Sequence, residues 1–429
     1  MNRPHLLPER PELPSDTAQK IRTDFDRFAS QGLPRNIEAY LLDQYGLDVS
    51  ASYAGRKLRN PWGKASGQLS MRLNQIEEAA EAGLGFVVLK TVIAQDAQGG
   101  QSMGAWAIKE ARMVPERIVG ASGAEGWTIT WKGRGWWDTF DAYLNLVRKS
   151  TRLGQFRNML IIPSIKYHLP APGETGWRVE EYEETTSKLL DAYEATGTQD
   201  PMLLEKDFSP TLAGSDRSAQ QAQILDWLAT VPALIRQGAG GRPIVIGLKL
   251  FNALFDDDFQ LEMLRKVHEP TQRPDFLIYA NRLFDPDRVF EGHRGVAFGG
   301  PDLSDRNLRI LSAWRSGRIG ADSPLEISAT GDIGSGRLAV EYALRGSTSF
   351  QIHTFFQLPA EVYTMTTGSK LQRALHRLYF DPEEGFVPWI LHTTRRLGIG
   401  PSLLELAAVG ASKAPADLAD RLSGAGDPA

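Results

Sequence analysis

The sequence predicts an α/β protein that folds as a (β/α)8 TIM barrel, and three observations lead to this prediction. Short apolar runs rich in β-branched residues alternate with amphipathic helical stretches along most of the 429 residues. The apolar runs number about eight, which is the strand count that such a barrel needs. Hydrophobic residues make up 42% of the chain and charged residues 23%, so the chain is able to bury a sizeable core.

The predicted elements follow one another in a regular order. An N-terminal helical extension is predicted over residues 1–58, a barrel over 59–380, and a C-terminal helical segment with a flexible tail over 381–429. The predicted barrel strands occupy residues 62–66, 86–92, 159–165, 202–206, 243–250, 276–280, 325–329 and 349–353. The predicted helices occupy residues 18–30 and 36–45 in the extension, and 73–82, 137–151, 180–196, 219–237, 259–268, 302–316 and 336–344 in the barrel.

One long insertion, over residues 95–135, separates the second predicted strand from its helix. The insertion and the residues directly after it are unusually aromatic, with Trp127 and Trp131 inside it and Trp136 and Trp137 at its end. A long loop at the mouth of a barrel often acts as a lid over the site. Large aromatic side chains more generally serve as core, so packing of the loop onto the barrel is an equal alternative.

Composition excludes several classes of function. The 48 Lys and Arg residues against 52 Asp and Glu give a net charge of -4, so no bulk positive field exists to hold nucleic acid or an anionic membrane. The start of the chain does not resemble a secretion signal and no apolar run reaches the ~20 residues of a membrane span, so a cytoplasmic protein is expected. The chain has no cysteine and no histidine pair spaced i, i+4, and no metal site is predicted.

Glycines in two late strand-to-helix turns indicate a phosphate site. The residues of this predicted site are Gly299, Gly300, Gly331, Gly334 and Ser335. Glycine lets backbone N–H groups approach an anion, and the N-terminus of the following helix adds its positive dipole end. A cup of this kind is common at the late loops of barrels, although glycine also serves such turns for steric reasons alone.

Two lysines and two asparagines lie in or beside apolar strands. Lys90 and Lys249 are candidates for the site, because a lysine in a barrel interior needs an anionic partner to offset its loss of hydration. The alternative is that each ammonium reaches solvent from the strand end. Asn60 precedes the first strand and Asn281 ends the sixth, and amides such as these suit recognition of the edge of a ring.

A polar turn, residues 207–211, follows the fourth predicted strand. Asp207 offers a carboxylate, and Ser209 and Thr211 offer hydroxyls next to a proline. Serine acts as a general base only when a relay or its environment takes the proton onward. By its chemistry alone, the segment favours an ordinary β-turn.

Taken together and in this order, these motifs resemble the dihydroorotate dehydrogenase superfamily, and the flavin barrel of dihydropyrimidine dehydrogenases has a similar pattern. The resemblance covers roughly residues 59–358, which is most of the barrel. The motifs that carry it are Asn60-Pro61-Trp62-Gly63, Ala65-Ser66-Gly67, Gly83-Leu84-Gly85-Phe86-Val87-Val88-Leu89-Lys90-Thr91, Ile246-Gly247-Leu248-Lys249, Tyr279-Ala280-Asn281, Gly299-Gly300 and Thr330-Gly331-Asp332-Ile333-Gly334-Ser335-Gly336.

The resemblance implies an FMN-dependent oxidoreductase that acts on CH–CH groups. It implies a site in which three residues line the isoalloxazine, two lysines contact the flavin ring and ribityl chain and help to bear the charge of reduced flavin, and late residues hold the phosphate. In that order the implied FMN-binding residues are Ala65, Ser66 and Gly67, then Lys90 and Lys249, then Gly299, Gly300, Gly331, Gly334, Ser335 and Thr354. The resemblance also implies that Asn281 donates to the substrate ring.

The chain departs from the family where the substrate would bind. Family members carry Asn-x-Ser-(Cys or Ser)-Pro-Asn after the fourth strand, whereas this chain has the shorter Asp207-Phe208-Ser209-Pro210-Thr211. Ser209 matches the serine-type base if it aligns with the residue before proline. Asp207 replaces the asparagine that grips the substrate, and it repels a carboxylate ligand unless it is protonated or paired. A second family asparagine has no counterpart in residues 130–134, so the departures argue against dihydroorotate as the substrate.

The sequence therefore leaves three functional hypotheses. The first is an FMN oxidoreductase that moves hydride between flavin and a small cyclic or unsaturated amide-like or carbonyl compound, with Ser209 as proton partner and Lys90 as a further catalytic residue. The second is a cofactor-free barrel that acts on a phosphorylated metabolite, with Lys90 or Lys249 as Schiff-base or acid–base group. The third is a flavin-binding scaffold without catalysis. The partners expected are a small-molecule substrate, an external electron acceptor or donor, and a second copy of the chain.

Overall fold

The structure is a computed structural model, and it has a barrel of parallel strands surrounded by helices. The described residues are 4–109, 113–131, 135–171, 173–174, 176–208, 217–252, 254–269, 271, 273–290, 292–317 and 324–423. Their strands are β1 (Ala51–Tyr53), β2 (Arg56–Leu58), β3 (Trp62–Lys64), β4 (Phe86–Val88), β5 (Val92–Ile93), β6 (Met113–Val119), β7 (Glu125–Trp131), β8 (Leu160–Ile162), β9 (Ser164–Lys166), β10 (Met202–Asp207), β11 (Ile244–Phe251), β12 (Phe276–Asn281), β13 (Leu283–Phe290), β14 (His293–Phe298), β15 (Glu326–Thr330) and β16 (Ser347–Ile352). Their α-helices are α1 (Ser15–Gln31), α2 (Ile37–Tyr45), α3 (Leu73–Glu81), α4 (Phe140–Arg157), α5 (Val179–Glu194), α6 (Arg217–Gly238), α7 (Asp257–Val267), α8 (Pro301–Ser316), α9 (Gly336–Ala343), α10 (Thr354–Gln357), α11 (Lys370–Phe380), α12 (Phe386–Leu397), α13 (Leu403–Ser412) and α14 (Pro415–Leu422).

The barrel closes on itself, which confirms the predicted fold class. The pairing runs from β9 through β10, β11, β12, β15, β16, β3 and β4 to β8, and every one of these pairs is parallel. Strands β8 and β9 are two parts of one predicted strand, separated by Pro163, which has no N–H to give to a ladder. Strands β4 and β5 are likewise two parts of the second predicted strand, and β5 pairs with β9.

Aromatic rings fill the closed end of the barrel, where the strands begin. A Cβ on Gly63 would lie 2.1 Å from the ring of Phe86, and a Cβ on Gly247 would lie 2.2 Å from the ring of Phe276. Glycine is therefore required at both strand positions to make room for the rings. Tyr53, from the β1–β2 hairpin, packs against both rings with centroids 4.8 and 5.2 Å apart. The N-terminal hairpin thus plugs this end of the barrel.

The N-terminal helices pack against the C-terminal ones. Phe25 of α1 stacks on His376 of α11 with ring centroids 4.5 Å apart, and Phe28 contacts Phe380 at 5.0 Å. Glu341 of α9 and Arg345, two residues after that helix, form a buried ion pair in which Arg345 Nη1 lies 2.6 Å from Glu341 Oε2. The pair holds the first described residues, since Glu341 accepts from the backbone of Leu6 and Leu7 and Arg345 donates to the carbonyl of Pro4. None of the helices in the described residues is long and apolar enough to cross a membrane.

Two antiparallel hairpins stand on the open end of the barrel. The β6–β7 hairpin comes from the insertion that the sequence predicts, whereas the β13–β14 hairpin between β12 and α8 was not predicted and is a second insertion. An ion pair of 3.0 Å between Glu116 and Arg288 joins them. Arg282 also joins them, because its guanidinium donates to the carbonyls of Ile129 and Ala297.

Candidate functional site

A cavity of about 750 Å3 lies at the carboxyl ends of the barrel strands. This end is where barrel enzymes place their chemistry, because the loops that follow the strands converge there. The residues predicted from the sequence that line this cavity are Ala65, Ser66, Lys90, Asp207, Lys249, Asn281, Gly299, Gly300, Gly331, Gly334, Ser335 and Thr354. Gly67 lies just behind the cavity wall, and Ser209 lies outside the described residues.

Both candidate lysines are buried. Lys90, two residues after β4, is 3% exposed and Lys249 of β11 is 5% exposed, so the alternative in which they reach bulk solvent is wrong. Burial lowers the pKa of Lys90 to about 8, and the nearby Asp207 opposes this shift. Lys249 donates from Nζ to Gln351 Oε1 at 3.2 Å. The two side chains bring positive charge to the wall of the cavity, where a bound anionic group is stabilised.

Asp207 has partners that the sequence did not reveal. It ends β10, and its Oδ1 accepts from Asn281 Nδ2 at 3.3 Å. Its Oδ2 lies 4.0 Å from the ammonium of Lys166, a buried residue at the end of β9. The ring of Trp106 covers that ammonium at 4.1 Å from the centroid. Asp207 is therefore a paired carboxylate, and its repulsion of an anionic ligand is weakened.

The orientation of Asn281 follows from its own backbone neighbour. The N–H of Arg282 donates to Asn281 Oδ1 at 3.0 Å, which leaves the side-chain NH2 on the side of Asp207. A donor and an acceptor thus lie beside each other at the cavity wall. Such a pair matches the C=O and N–H edge of a cyclic amide.

The glycines of the late turns divide into two kinds. Gly331 has φ +108°, and a Cβ there would lie 2.6 Å from Asn307 Nδ2. Gly300 has φ +98°, and its Cβ would lie 2.5 Å from Ile118 Cγ2. At these two positions, the backbone conformation and the packing of the turns themselves require glycine. A Cβ on Gly334 would meet nothing nearer than 3.5 Å, and one on Gly299 nothing nearer than 3.8 Å, so the fold itself does not require glycine at these two cavity positions.

The turn before α9 leads directly into the helix N-terminus. Ser335 is the N-cap and accepts from the N–H of Leu338 at 3.2 Å. Asp332 lies in the same turn with φ +58° and accepts from Ser304 Oγ at 3.2 Å. Burial raises the pKa of Asp332 to about 7. The turn thus places the N-terminus of α9 beside a carboxyl group whose pKa lies near neutral pH.

Three further residues that line the cavity, Arg282, His353 and Trp127, were not among the predicted site residues, although the sequence placed His353 at a strand end and Trp127 in the aromatic insertion. Arg282 follows Asn281 directly, and burial lowers its pKa to about 9. His353 follows β16; burial, helped by the charges of Arg282, Lys90 and Lys249, lowers its pKa to about 3 and keeps the imidazole neutral. Its Nε2 would lie 2.3 Å from a Cβ on Gly67, which explains the glycine there. Trp127 of β7 also lines the cavity.

Parts of the aromatic insertion border the cavity and pack against the barrel, and its action as a lid stays a prediction. Trp127 faces the cavity, and Thr128 Oγ1 accepts from the N–H of Gly299 at 2.9 Å, so β7 lies across the glycine pair. Trp136 instead packs against Tyr143 of α4, with ring centroids 5.3 Å apart. One part of the insertion covers the site while another anchors it to the barrel. Within the described residues, no three His, Asp or Glu side chains come together as a metal ion would require.

The fold is that of the dihydroorotate dehydrogenase barrels. The crystal structure of DHODH from Eimeria tenella in complex with ferulenol matches this chain with a TM-score of 0.57 and 14% sequence identity. The match covers 94% of this chain and 97% of the other, so it includes the barrel and its extensions. No protein-family model matches the sequence, and a search of curated protein sequences gives no match. The likeness to this crystal structure therefore concerns the fold of the chain, whereas its chemistry depends on the residues of the cavity.

Proposed function

We propose that the protein is an FMN-dependent oxidoreductase that transfers hydride between flavin and a small cyclic or unsaturated amide-like or carbonyl substrate. The observation that carries the proposal is the convergence of two buried lysines and two glycine-rich turns on one cavity at the mouth of the barrel. The likeness in fold to a dihydroorotate dehydrogenase supports the same cofactor.

The residues of the cavity fit FMN in size and in chemistry. Its volume of about 750 Å3 falls within the range of ligand pockets, roughly 300–1,000 Å3. We assign the phosphate to the backbone at Gly334 and to the N-terminus of α9, and we assign Gly299, whose N–H donates to Thr128, to the wall beside it. We assign the ring to the wall formed by Ala65, Ser66 and the two lysines. When bound, a flavin supplies hydride transfer, which no amino-acid side chain provides.

The residues of the chain then have distinct roles. The ammonium groups of Lys90 and Lys249 stabilise negative charge that develops in the cavity, and they act strongly there because both side chains are buried. Asn281 and Asp207 orient the substrate through their neighbouring donor and acceptor. Ser209, two residues after Asp207, is the proposed proton partner of the substrate carbon. Electrons leave to, or arrive from, an acceptor or donor outside this chain.

The first experiment is a visible absorption spectrum of the purified protein, with the released chromophore identified by mass. Stoichiometric FMN supports the proposal, and anaerobic bleaching by candidate cyclic amides then identifies the substrate. A colourless protein that takes up no added FMN refutes it and favours the phosphorylated-metabolite alternative. A flavin that no candidate substrate bleaches favours the scaffold alternative. Mass measurement in solution tests the predicted homo-oligomer.

A further inference from the structure

A buried polar network runs through the barrel interior beneath the cavity. Tyr53 Oη and Gln351 Nε2 both donate to Glu205 Oε1, and Gln351 Nε2 also lies 3.1 Å from Tyr53 Oη. On its other side, Gln351 Oε1 accepts from Lys249 Nζ at 3.2 Å. The network therefore links the N-terminal plug of the barrel to a lysine of the cavity wall.

The network holds a carboxyl group and an ammonium group away from water. Tyr53 and Glu205 are 0% exposed, Gln351 is 1% exposed, and Lys249 is 5% exposed. Glu205 Oε2 is buried and has no hydrogen-bond partner among the described residues. Burial raises the pKa of Glu205, whereas the ammonium of Lys249 opposes the shift through space. A buried carboxyl group is costly unless its charge is compensated, and Lys249 is the cation that this group faces.

Gln351 fixes the direction of Lys249. Its amide accepts from the lysine and donates to the carboxyl group, so its two ends cannot exchange without the loss of both bonds. One N–H of the ammonium is used within the network, and the others remain available on the cavity side, which Lys249 lines. A flexible lysine side chain is thereby held in one place, and its charge is partly balanced from below.

We propose that Glu205 and Gln351 are positioning residues for Lys249, and that the buried carboxylate sets the net charge that this lysine presents to the bound cofactor. The inference rests on the proposed function, because it concerns the electrostatics of the flavin site. Glu205 touches neither cofactor nor substrate, and its effect passes through Lys249. Removal of its negative charge leaves the cavity more positive and so favours the reduced, more negative form of the cofactor.

The test is the midpoint potential of FMN-reconstituted protein, measured for wild type, Glu205→Gln and Tyr53→Phe. Glu205→Gln keeps the acceptor oxygen and the side-chain shape but removes the charge. We expect it to favour binding of reduced over oxidised FMN by about tenfold, which corresponds to a rise of about 30 mV for a two-electron couple. Tyr53→Phe removes a hydrogen bond of the same network without a change of charge, and its potential should equal that of wild type.

The outcomes separate this inference from the proposed function. Wild-type protein that takes up no FMN refutes the proposed function, and the inference fails with it. Wild-type protein that binds FMN, together with a Glu205→Gln potential that is unchanged or lower, refutes the inference alone. The same holds if Tyr53→Phe shifts the potential as far as Glu205→Gln does, because the effect is then structural. Glu205→Met removes the same charge without needing hydrogen-bond partners, and it serves if the glutamine variant does not fold.

Discussion

Gly334 offers a direct test of the phosphate site, because the fold tolerates a side chain there. A Cβ at this position meets Phe355 Cδ2 at 3.5 Å, an ordinary contact, and the residue lines the cavity. Valine at Gly334 should therefore leave the protein folded while its methyl groups occupy space beside the N-terminus of α9. A hydrogen bond to a charged group contributes about 1.5–3 kcal/mol. Displacement of the phosphate from one or two such bonds costs about 3 kcal/mol, or about 100-fold in Kd.

Titration of the apoprotein with FMN, followed by quenching of flavin fluorescence, measures this loss, and thermal unfolding reports whether the variant is folded. Gly317→Val is the matched control. Gly317 caps the C-terminus of α8 with φ -78°, its added Cβ would meet nothing nearer than 3.6 Å, and it is not part of the cavity wall. This control should bind FMN as wild type does. A folded Gly334→Val protein with the wild-type Kd refutes the assignment of the phosphate to this turn.

Three other predictions follow from the same structure. Ser209→Ala should slow reduction of the flavin by substrate in anaerobic stopped-flow without displacing FMN, and an unaffected rate assigns the proton to another group. FMN binding should weaken about tenfold as pH rises through about 7, because ionised Asp332 repels the phosphate. Asp332→Asn should remove this part of the pH dependence, and asparagine also tolerates the positive φ at this position. A variant whose pH profile is identical to that of wild type contradicts this prediction. Arg345→Met removes the cation that lies 2.6 Å from the buried Glu341 and leaves it the exposed His5, 3.6 Å away, so the fold should be destabilised by about 3 kcal/mol. Although burial opposes the shift, the charges of Arg345 and His5 lower the pKa of Glu341 to about 2. The stability that the ionised carboxylate contributes is therefore present above about pH 4 and is lost as the pH falls towards 2. Urea unfolding at about pH 4 and about pH 2 measures the loss.

The barrel could be predicted from the sequence because its strands are buried on both faces. A parallel strand between a core and a layer of helices reads as a continuous apolar run, as in Ile244–Phe251 and Phe276–Asn281. The β13–β14 hairpin has no such signal. Leu283–Phe290 contains a proline and three charged side chains and is only partly buried. This hairpin is stabilised by the pairing of its two strands and by contacts of β14 with β7, and a local sequence pattern does not record those contacts.

The site could be predicted in part, because glycine turns and strand-end lysines are visible as residue types. The sequence does not show whether a glycine is needed for packing within the fold or for contact with a ligand. Gly331 and Gly334 lie three residues apart in one turn, yet only Gly331 is crowded by Asn307 and by the carbonyl of Ala280. Those neighbours come from α8 and β12. The distinction depends on contacts between segments that are far apart in the chain, which a single sequence does not record.

Asp207 shows the same point for charge. Considered alone, a carboxylate in place of an amide argues against any anionic substrate, because like charges at close range repel each other. In the structure Lys166 lies 4.0 Å from this carboxylate, and Asn281 donates to it. Lys166 comes from the neighbouring barrel strand, and its place beside Asp207 follows from the parallel pairing of β9 with β10. The Lys166–Asp207 pair carries less net negative charge than Asp207 alone. Aspartate in place of the family's asparagine therefore mainly changes the hydrogen bonds that the substrate must offer, and it has a smaller effect on the charge that the substrate must carry. A paired carboxylate still accepts a hydrogen bond from an N–H group of the substrate. Comparing flavin reduction by each cyclic amide with reduction by its N-methyl derivative tests the need for this N–H group separately from any effect of charge.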